Sequence, residues 1–223
     1  MLPAQKPVNP KTVRYGQKMN NTAPKTSRDR RRDAIIEVAR EVFFEEGYAA
    51  ASMSSIAARL GGSKGTLYNY FRSKEELFEA QVQDGCAIFA EEAFDLLDDP
   101  GPVDAVLARL GRHYLAKLYS DWAVRTYRVI VAEAVRSPQL ARIFYEAGPA
   151  VGQKRLEVYL ENAQARGLLN VDDCSLAAGE FLTLCRGHQH FVYVLNLEPG
   201  PSPDQVQVQA DRAVSLFLKC YRA

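Results

Sequence analysis

The chain has 223 residues and 47% of them are hydrophobic, which excludes disorder of the whole chain and allows a large core without disulfide or metal staples. The formal net charge of +1 hides an asymmetry, because residues 1–80 carry 14 basic and 9 acidic side chains while the remainder carries 14 and 18. A basic amino-terminal part on an acidic remainder predicts that one part of the molecule meets nucleic acid.

Two further patterns exclude other classes of protein. No apolar run approaches 18 residues and the first 30 residues contain no apolar segment, so neither a transmembrane helix nor a secretory signal is predicted. The four cysteines are scattered without a C-x-x-C pair, which is typical of reduced thiols in a cytosolic protein. We therefore expect a cytoplasmic protein that has no metal site, no cofactor and no membrane contact.

Residues 1–26 are predicted to form a flexible basic arm, since they carry five basic side chains, no acidic one and three prolines among the first ten residues. The arm either reaches DNA phosphates or a minor groove, or it is a dispensable tail, with Met19 as an alternative start. Of the two interpretations we favour the dispensable tail.

From Ser27 to Arg222 the spacing of apolar residues is almost wholly helical, so the predicted fold class is all-α. Ser27 is expected to cap the first helix and Gly47 to end it, while Ser73 with Glu76 forms an S-x-x-E capping box at the start of the fourth. The predicted helices are 27–47, 52–60, 64–70, 73–97, 103–119, 121–136, 139–146, 150–166, 173–195 and 203–221.

The first three helices are short and joined by tight glycine turns, which is the sequence form of a helix-turn-helix unit. Gly61 and Gly62 let the chain reverse where larger residues would be strained. The third helix is about two turns long, so its first turn is the part that enters a major groove, with free N–H groups and a positive dipole for phosphate. There Lys64 adds a cation, and Thr66 offers a hydroxyl and a methyl to a base edge.

Spacing also assigns the other faces of this third helix. Leu67 and Phe71 lie four residues apart and are expected to face the core, which leaves the polar tips of Tyr68, Asn69 and Tyr70 on the remaining faces. Tyr68 and Tyr70 can instead be packing residues, and the spacing does not decide this for Tyr70.

The run GGSKGTLYNYF at 61–71, followed by SKEEL at 73–77, closely resembles the DNA-binding unit of the TetR/AcrR family of bacterial transcriptional repressors. The resemblance covers residues 28–80, although Gly62 replaces the small apolar residue that is usual in the family. It implies phosphate contacts from Ser52, Ser54 and Lys74 and base or backbone contacts from the third helix. The expected DNA-binding residues are Ser52, Ser54, Lys64, Gly65, Thr66, Tyr68, Asn69, Tyr70 and Lys74.

The rest of the chain resembles the effector-binding and dimerisation region of the same family. More narrowly, YRVIVAEA at 127–134 and FYEAGP at 144–149 resemble the AefR-like carboxy-terminal subgroup, which does not fix the ligand. The expected domains are a flexible arm at 1–26, a helix-turn-helix domain at 27–72, and a helical effector-binding and dimerisation domain at 73–223.

Apolar stripes on the last two predicted helices predict a homodimer interface. Two such helices from each subunit can form a four-helix arrangement, and the alternative is that both stripes are buried within one subunit. A dimer would place two recognition helices about 34–36 Å apart, one for each half of a palindrome. The stripe residues are Ala177, Phe181, Leu184, His188, Phe191 and Leu195 on one helix, and Val206, Ala210, Ala213, Val214, Phe217 and Tyr221 on the other.

Aromatic residues accumulate between the 73–97 helix and the middle helices, which predicts a largely apolar cavity for an unidentified hydrophobic or aromatic effector. The alternative is plain core packing for each ring and a structural role for each histidine. The candidate ligand-binding residues are Phe89, His113, Tyr114, Trp122, Tyr127, Phe144 and His188.

Together these features predict a ligand-responsive regulator, most simply a repressor that binds a palindromic double-stranded operator as a homodimer and is released by the effector. The 73–97 helix is the natural lever, because it begins at the DNA-binding unit and continues into the cavity wall. We assign no catalytic residue, since GGSKG at 61–65 follows no strand and no other nucleotide or nucleophile motif occurs. An activator would need the same DNA-reading unit, so the sign of regulation stays open.

Overall fold

Residues 26–98 and 101–223 are described by a computed structural model, and within these ranges the protein has eleven α-helices and no strand. The all-α prediction is therefore confirmed, whereas the predicted arm lies almost wholly outside the described residues. The helices are α1 Ser27–Ala50, α2 Met53–Arg59, α3 Lys64–Tyr68, α4 Lys74–Phe94, α5 Val103–Leu118, α6 Asp121–Glu133, α7 Pro138–Ala147, α8 Pro149–Ala165, α9 Cys174–Arg186, α10 Gln189–Val194 and α11 Pro203–Tyr221, with a 3₁₀ turn at Asp95–Asp98 after α4.

Two predicted helix starts need correction. Thr26, rather than Ser27, caps α1, because its side chain accepts from the Asp29 N–H while the Asp29 carboxylate accepts from the Thr26 N–H. At α4, Ser73 accepts from the Glu76 N–H as expected, but the Glu76 carboxylate accepts from the Arg72 N–H instead of the Ser73 N–H. The predicted capping box is therefore only half formed.

The predicted 173–195 helix is in fact two helices, which is the main correction to the fold. α9 ends at Gly187, whose φ of 53° lies in the left-handed region, and α10 begins two residues later. The Gln209 side-chain amide of α11 donates to the carbonyls of Cys185 and Arg186. It thereby satisfies groups that a helix end leaves unpaired and that sequence periodicity does not reveal.

Two hydrophobic clusters make up the core, and α4 contributes to both. The first joins α1, α2, α3 and the first half of α4 to residues of α6 and α7, with Phe78 and Ile130 among its members. The second joins the end of α4 to α5, α8, α9 and α11, with Phe94 and Phe181 among its members. α4 therefore connects the helix-turn-helix part to the rest of the fold, and its role as a lever stays a prediction.

Of the two apolar stripes that predicted the dimer, the one on α11 is largely buried within the chain, whereas Leu184, His188, Phe191 and Leu195 of the other are exposed. Ala177, Phe181, Ala210, Ala213 and Phe217 are each at most 1% exposed, and α11 packs against α5 and α9. The break at Gly187 also divides the first stripe between two helices, so those residues do not form the continuous outer face that we predicted. α9 and α11 do present large apolar side chains to solvent. Leu184 belongs to a predicted stripe, whereas Leu176, Val208 and Leu216 do not.

Candidate nucleic-acid interface

The recognition helix α3 is fixed by one apolar anchor and a capping serine. Leu67 is fully buried and Phe71 is 3% exposed, so the inward face is as the spacing predicted. Ser63 accepts from the Thr66 N–H and thereby closes the amino-terminal end of the helix. Lys64 stands at the first position of the helix with an exposed side chain.

α3 and the two residues that follow it carry most of the predicted DNA-binding residues. Gly65, Tyr68 and Asn69 are exposed, whereas Thr66 and Tyr70 are half-buried. Thr66 Oγ1 lies 3.1 Å from Ser63 Oγ, which orients the hydroxyl but leaves its second lone pair and the methyl available. Five predicted residues are therefore brought together beside Lys64, three of them on α3 and two, Asn69 and Tyr70, just after α3 ends, two residues earlier than predicted.

The turn before α3 has one glycine with a positive φ and one glycine beside an arginine. Gly61 has a φ of 67°, which favours glycine, whereas Gly62 has no such backbone requirement. A Cβ at Gly62 would stand 3.4 Å from Arg31 Nη2. The departure from the family pattern at Gly62 therefore coincides with close approach of an arginine from α1.

The predicted phosphate contacts from α2 lie at its amino-terminal end. Ser52 caps α2, with its hydroxyl accepting from the Ser55 N–H, and Ser54 is exposed on the first turn. Arg59 at the other end donates to Glu45 of α1, which lowers the pKa of that exposed carboxyl mainly through the hydrogen bond. The pairing holds α2 against α1 while its amino-terminal end stays open.

Lys74 needs a correction, since its ammonium is engaged inside the protein. Its Nζ donates to the carbonyl oxygens of Tyr48 at 2.7 Å and Ala51 at 3.0 Å, and it stands 4.3 Å from the centroid of the Tyr48 ring. The Tyr48 hydroxyl in turn donates to Glu75 at 3.0 Å. Burial and this carboxylate both raise the pKa of the Tyr48 hydroxyl. Lys74 thus joins the end of α1 to the start of α4, which argues against the phosphate contact that we predicted.

Sequence reasoning missed a basic surface at the start of α1. Arg28, Arg30 and Arg31 are exposed, and no carboxylate among the described residues forms an ion pair with them. The Arg28 guanidinium lies 6.0 Å from the Tyr70 ring, which places this surface beside α3. The sequence signal for this surface is the run RDRRRD at 28–33, which we interpreted only as part of the first helix.

The candidate effector residues do not converge on one enclosed cavity. Phe89 and Tyr114 stack edge-to-face at 6.0 Å in the second core, whereas Tyr127 and Phe144 pair at 6.3 Å elsewhere. Trp122 lies against Gly85 of α4. The two candidate histidines, His113 and His188, are both exposed, so their role as polar groups of an effector cavity stays a prediction.

His190 of α10 is the histidine that joins an aromatic cluster. Its ring lies 5.4 Å from that of Tyr127 and 6.1 Å from that of Tyr119, and its buried Nδ1 has no partner among the described residues. Burial, with a smaller contribution from Arg186, lowers the pKa of His190. The imidazole is therefore neutral at neutral pH and can donate or accept through one nitrogen.

Two open grooves occur on the surface of the described residues. One of about 480 Å³ runs between α4 and the α7–α8 pair, and Glu79 and Glu146 lie along it. Within residues 26–98 and 101–223 no cluster of three potential metal ligands occurs, and no helix there is both long and apolar enough to cross a bilayer.

Comparisons with known proteins match two consecutive parts of the chain. Residues 35–81 match the family model described as bacterial regulatory proteins of the tetR family, and residues 105–223 match the AefR-like transcriptional repressor C-terminal domain. The second match alone spans more than half of the chain.

Individual relatives support the same assignment. The flavonoid-responsive regulator FrrA is 34% identical, with a TM-score of 0.73 over 86% of this chain and 97% of its own. A TetR-family regulator from Mesorhizobium loti is 28% identical, with a TM-score of 0.74 over 89% of this chain and 100% of its own. The transcriptional activator FasR of Mycolicibacterium smegmatis is 46% identical over 68 residues, which span only 30% of either chain. The chain belongs to the TetR family of bacterial transcriptional regulators, with a carboxy-terminal domain of the AefR-like type.

Proposed function

We propose that this protein is a ligand-responsive transcriptional regulator, most simply a repressor, which binds a palindromic operator as a dimer and is released by a small hydrophobic effector. The observation that carries the proposal is the placement of α3, whose buried Leu67 turns Lys64 and its neighbours outward beside an arginine-rich turn of α1. Because its partner is DNA, the protein acts in the cytoplasm.

Two groups of residues contact different parts of the DNA. Lys64, Thr66 and Tyr68 read base edges from the first turns of α3, with Gly65, Asn69 and Tyr70 at its margins. Arg28 and Arg31 with the hydroxyls of Ser52 and Ser54 contact phosphates on either side. Lys74 acts as a positioning residue that fixes α1 to α4.

Dimerisation through α9 and α11 is supported by the apolar side chains that these helices leave exposed. Leu176 is 59% exposed and Val208 is 69% exposed, and large apolar side chains on two adjacent helices favour contact with a second copy. A single α3 offers too few base contacts for selection among genomic sites, whereas two copies double them.

An aromatic effector is favoured by the rings that line the middle helices and by the relative FrrA, which is described as flavonoid-responsive. Tyr127, Phe144 and His190 provide ring faces and one unpaired nitrogen for such a molecule. The effector acts by preferring a conformation in which the two α3 helices no longer match the operator.

Binding is tested by fluorescence anisotropy with the DNA that lies upstream of the gene, at several salt concentrations. Lys64→Ala is expected to weaken specific binding by about 1–3 kcal/mol, because it removes a base or phosphate contact. Lys154→Ala is the matched control, since this lysine lies on α8 and is expected to leave affinity unchanged. Equal affinity for specific and unrelated DNA, or no effect of Lys64→Ala, would contradict the proposal.

FasR is named an activator, so activation is a second candidate supported by one relative. A reporter fused to the upstream region, measured with and without the gene, separates the two. Expression that rises when the gene is deleted supports repression, and expression that falls supports activation.

A further inference from the structure

Four buried polar atoms at the junction of α4 and α6 have no hydrogen-bond partner among the described residues. They are Nε2 and Oε1 of Gln81, Nε1 of Trp122 and Oγ1 of Thr126. Gln81 and Thr126 are completely buried. More than about 90% of buried polar groups in proteins are paired, and an unpaired one is destabilising. Such a concentration at one junction therefore calls for a functional explanation.

Helix geometry brings these atoms to the same place. Trp122 of α6 lies against Gly85 of α4, because a Cβ at Gly85 would be 2.0 Å from Trp122 Cζ2. The other end of α6 lies toward the start of α4, since Ile130 belongs to the same hydrophobic cluster as Leu77 and Phe78 and not to the cluster of Ala93 and Phe94.

Since α6 therefore runs antiparallel to α4, the residue one turn after Trp122 lies level with the residue one turn before Gly85. Those two residues are Thr126 and Gln81. Both helices contribute to the same hydrophobic cluster, through Val82 of α4 and Ile130 of α6. This alignment is expected to bring the orphaned atoms together as one polar spot in an apolar seam.

The chemistry of the spot defines what it can bind. The Gln81 amide offers a donor and an acceptor, the Thr126 hydroxyl offers both, and the Trp122 indole offers a donor. All three groups are neutral, so they do not compensate the loss of hydration of a charged ligand. A neutral hydroxyl or carbonyl group on an apolar body matches both the polar atoms and their surroundings.

Entry of such a group requires that Trp122 leave its seat on Gly85. The indole is only half-buried, and its packing against the bare backbone of α4 uses a position that a larger residue would block. Movement of the indole opens space of side-chain size and gives Nε1 access to a partner. The closed seam is therefore an unsatisfied state that a hydrogen-bonding ligand relieves.

We propose that Gln81, Thr126 and Trp122 form the hydrogen-bonding site for the neutral hydroxyl or carbonyl head of the effector, and that Trp122 is displaced when it binds. The proposal rests on the proposed function, because it names the chemistry of the molecule that regulates DNA binding.

The position of the seam explains how binding there would reach the DNA. The Arg125 guanidinium of α6 stands 4.5 Å over the Phe44 ring and 3.5 Å from the Glu41 carboxylate, so α6 holds α1 from one side. Lys74 holds α1 to α4 from the other side. Separation of α6 from α4 therefore turns α1, and with it the recognition helix.

The chain has a single tryptophan, so intrinsic fluorescence excited at the red edge of indole absorption reports on Trp122 alone. Phenol is the probe, and toluene is its matched control because it has nearly the same shape without the hydrogen-bonding group. We expect phenol to change the emission saturably and to weaken operator binding, and toluene to act roughly tenfold more weakly or not at all.

Gln81→Leu/Thr126→Val removes the polar atoms and nearly conserves volume. It is expected to unfold at the same or a higher temperature than the wild type, because unsatisfied groups are lost. Its response to phenol is expected to fall at least roughly tenfold. Thr183→Val, at an exposed position on α9, is the matched control and should respond as the wild type does. Thr126→Val alone replaces the double variant if the latter fails to fold.

The outcomes separate this proposal from the proposed function. A phenol response that is not saturable, that toluene equals, or that persists in the double variant would overturn the hydrogen-bonding site, including the case in which the polar atoms only bind ordered water. Absence of operator binding by the wild-type protein would instead overturn the proposed function, and the fluorescence titration would still test the site.

Discussion

The DNA-reading unit and the α4–α6 junction satisfy their polar groups in opposite ways. In the first, the helices begin at side-chain caps from Thr26, Ser52 and Ser63, and the ammonium of Lys74 pairs with carbonyls at the end of α1. In the second, fully buried amide and hydroxyl groups remain unpaired. A paired network fixes one geometry, whereas an unpaired one lowers the cost of rearrangement. The comparison teaches that α3 is held rigidly while the joint behind it is poised to move.

Removing Leu67, the apolar anchor of α3, is expected to have the largest effect on the DNA-reading unit. Leu67→Ala leaves a cavity under α3 and is expected to lower the free energy of unfolding by about 2–5 kcal/mol, since Leu67 is fully buried. Thermal or urea unfolding measures the loss. Leu168→Ala, at a position that is 38% exposed, is the control and should cost less than about 0.5 kcal/mol. A small effect at Leu67 would mean that α3 is not seated as described.

The positioning role of Lys74 makes a prediction that a phosphate contact would not. Lys74→Met removes hydrogen bonds to the α1 carbonyls and is expected to lower unfolding free energy by about 1–3 kcal/mol. DNA affinity should fall while the slope of log affinity against log salt stays unchanged, because no phosphate loses its cation. Arg31→Ala is the comparison, and its slope is expected to become smaller by about one unit. A slope change of that size in Lys74→Met would show that Lys74 contacts a phosphate after all.

The smallest expected effect is on the pH dependence of stability and comes from His190, which packs against Tyr127 of α6. Burial lowers the folded-state pKa of this imidazole, so the folded protein resists its protonation and binds fewer protons than the unfolded chain. The stabilisation is present above the ordinary histidine pKa and is lost as pH falls through the folded value. His190→Phe should therefore reduce the drop in melting temperature between about pH 7.5 and pH 5.5. An unchanged drop would show that another group is responsible.

Local signals explain why the seating of α3 and the turns on either side of α2 could be predicted. Leu67 and Phe71 are buried as their spacing indicated, and Ser52, Ser63 and Gly61 end or begin helices where the sequence suggested. Each of these features depends on residues within a few positions along the chain. Such features are fixed by backbone geometry and hydrogen bonds at short range.

Features that depend on distant partners could not be predicted. The role of Lys74 depends on carbonyls 23 to 26 residues away, and the end of α9 depends on an amide from Gln209 of α11. Periodicity also cannot tell a stripe buried within one chain from a stripe buried between two, because both require the same apolar face. For the seam, the available signal was the presence of Gln81 and Thr126 at otherwise apolar helix positions.

The central claim is that two α3 helices of a dimer enter successive major grooves. An iron chelate tethered to Tyr68→Cys, with Cys174 and Cys220 replaced by serine, tests it by cutting bound DNA where α3 lies. The account predicts two clusters of cuts whose centres are separated by about one helical turn of DNA or a multiple of it. Cuts that are diffuse, or that match those from a chelate tethered to native Cys220 on α11, would contradict it.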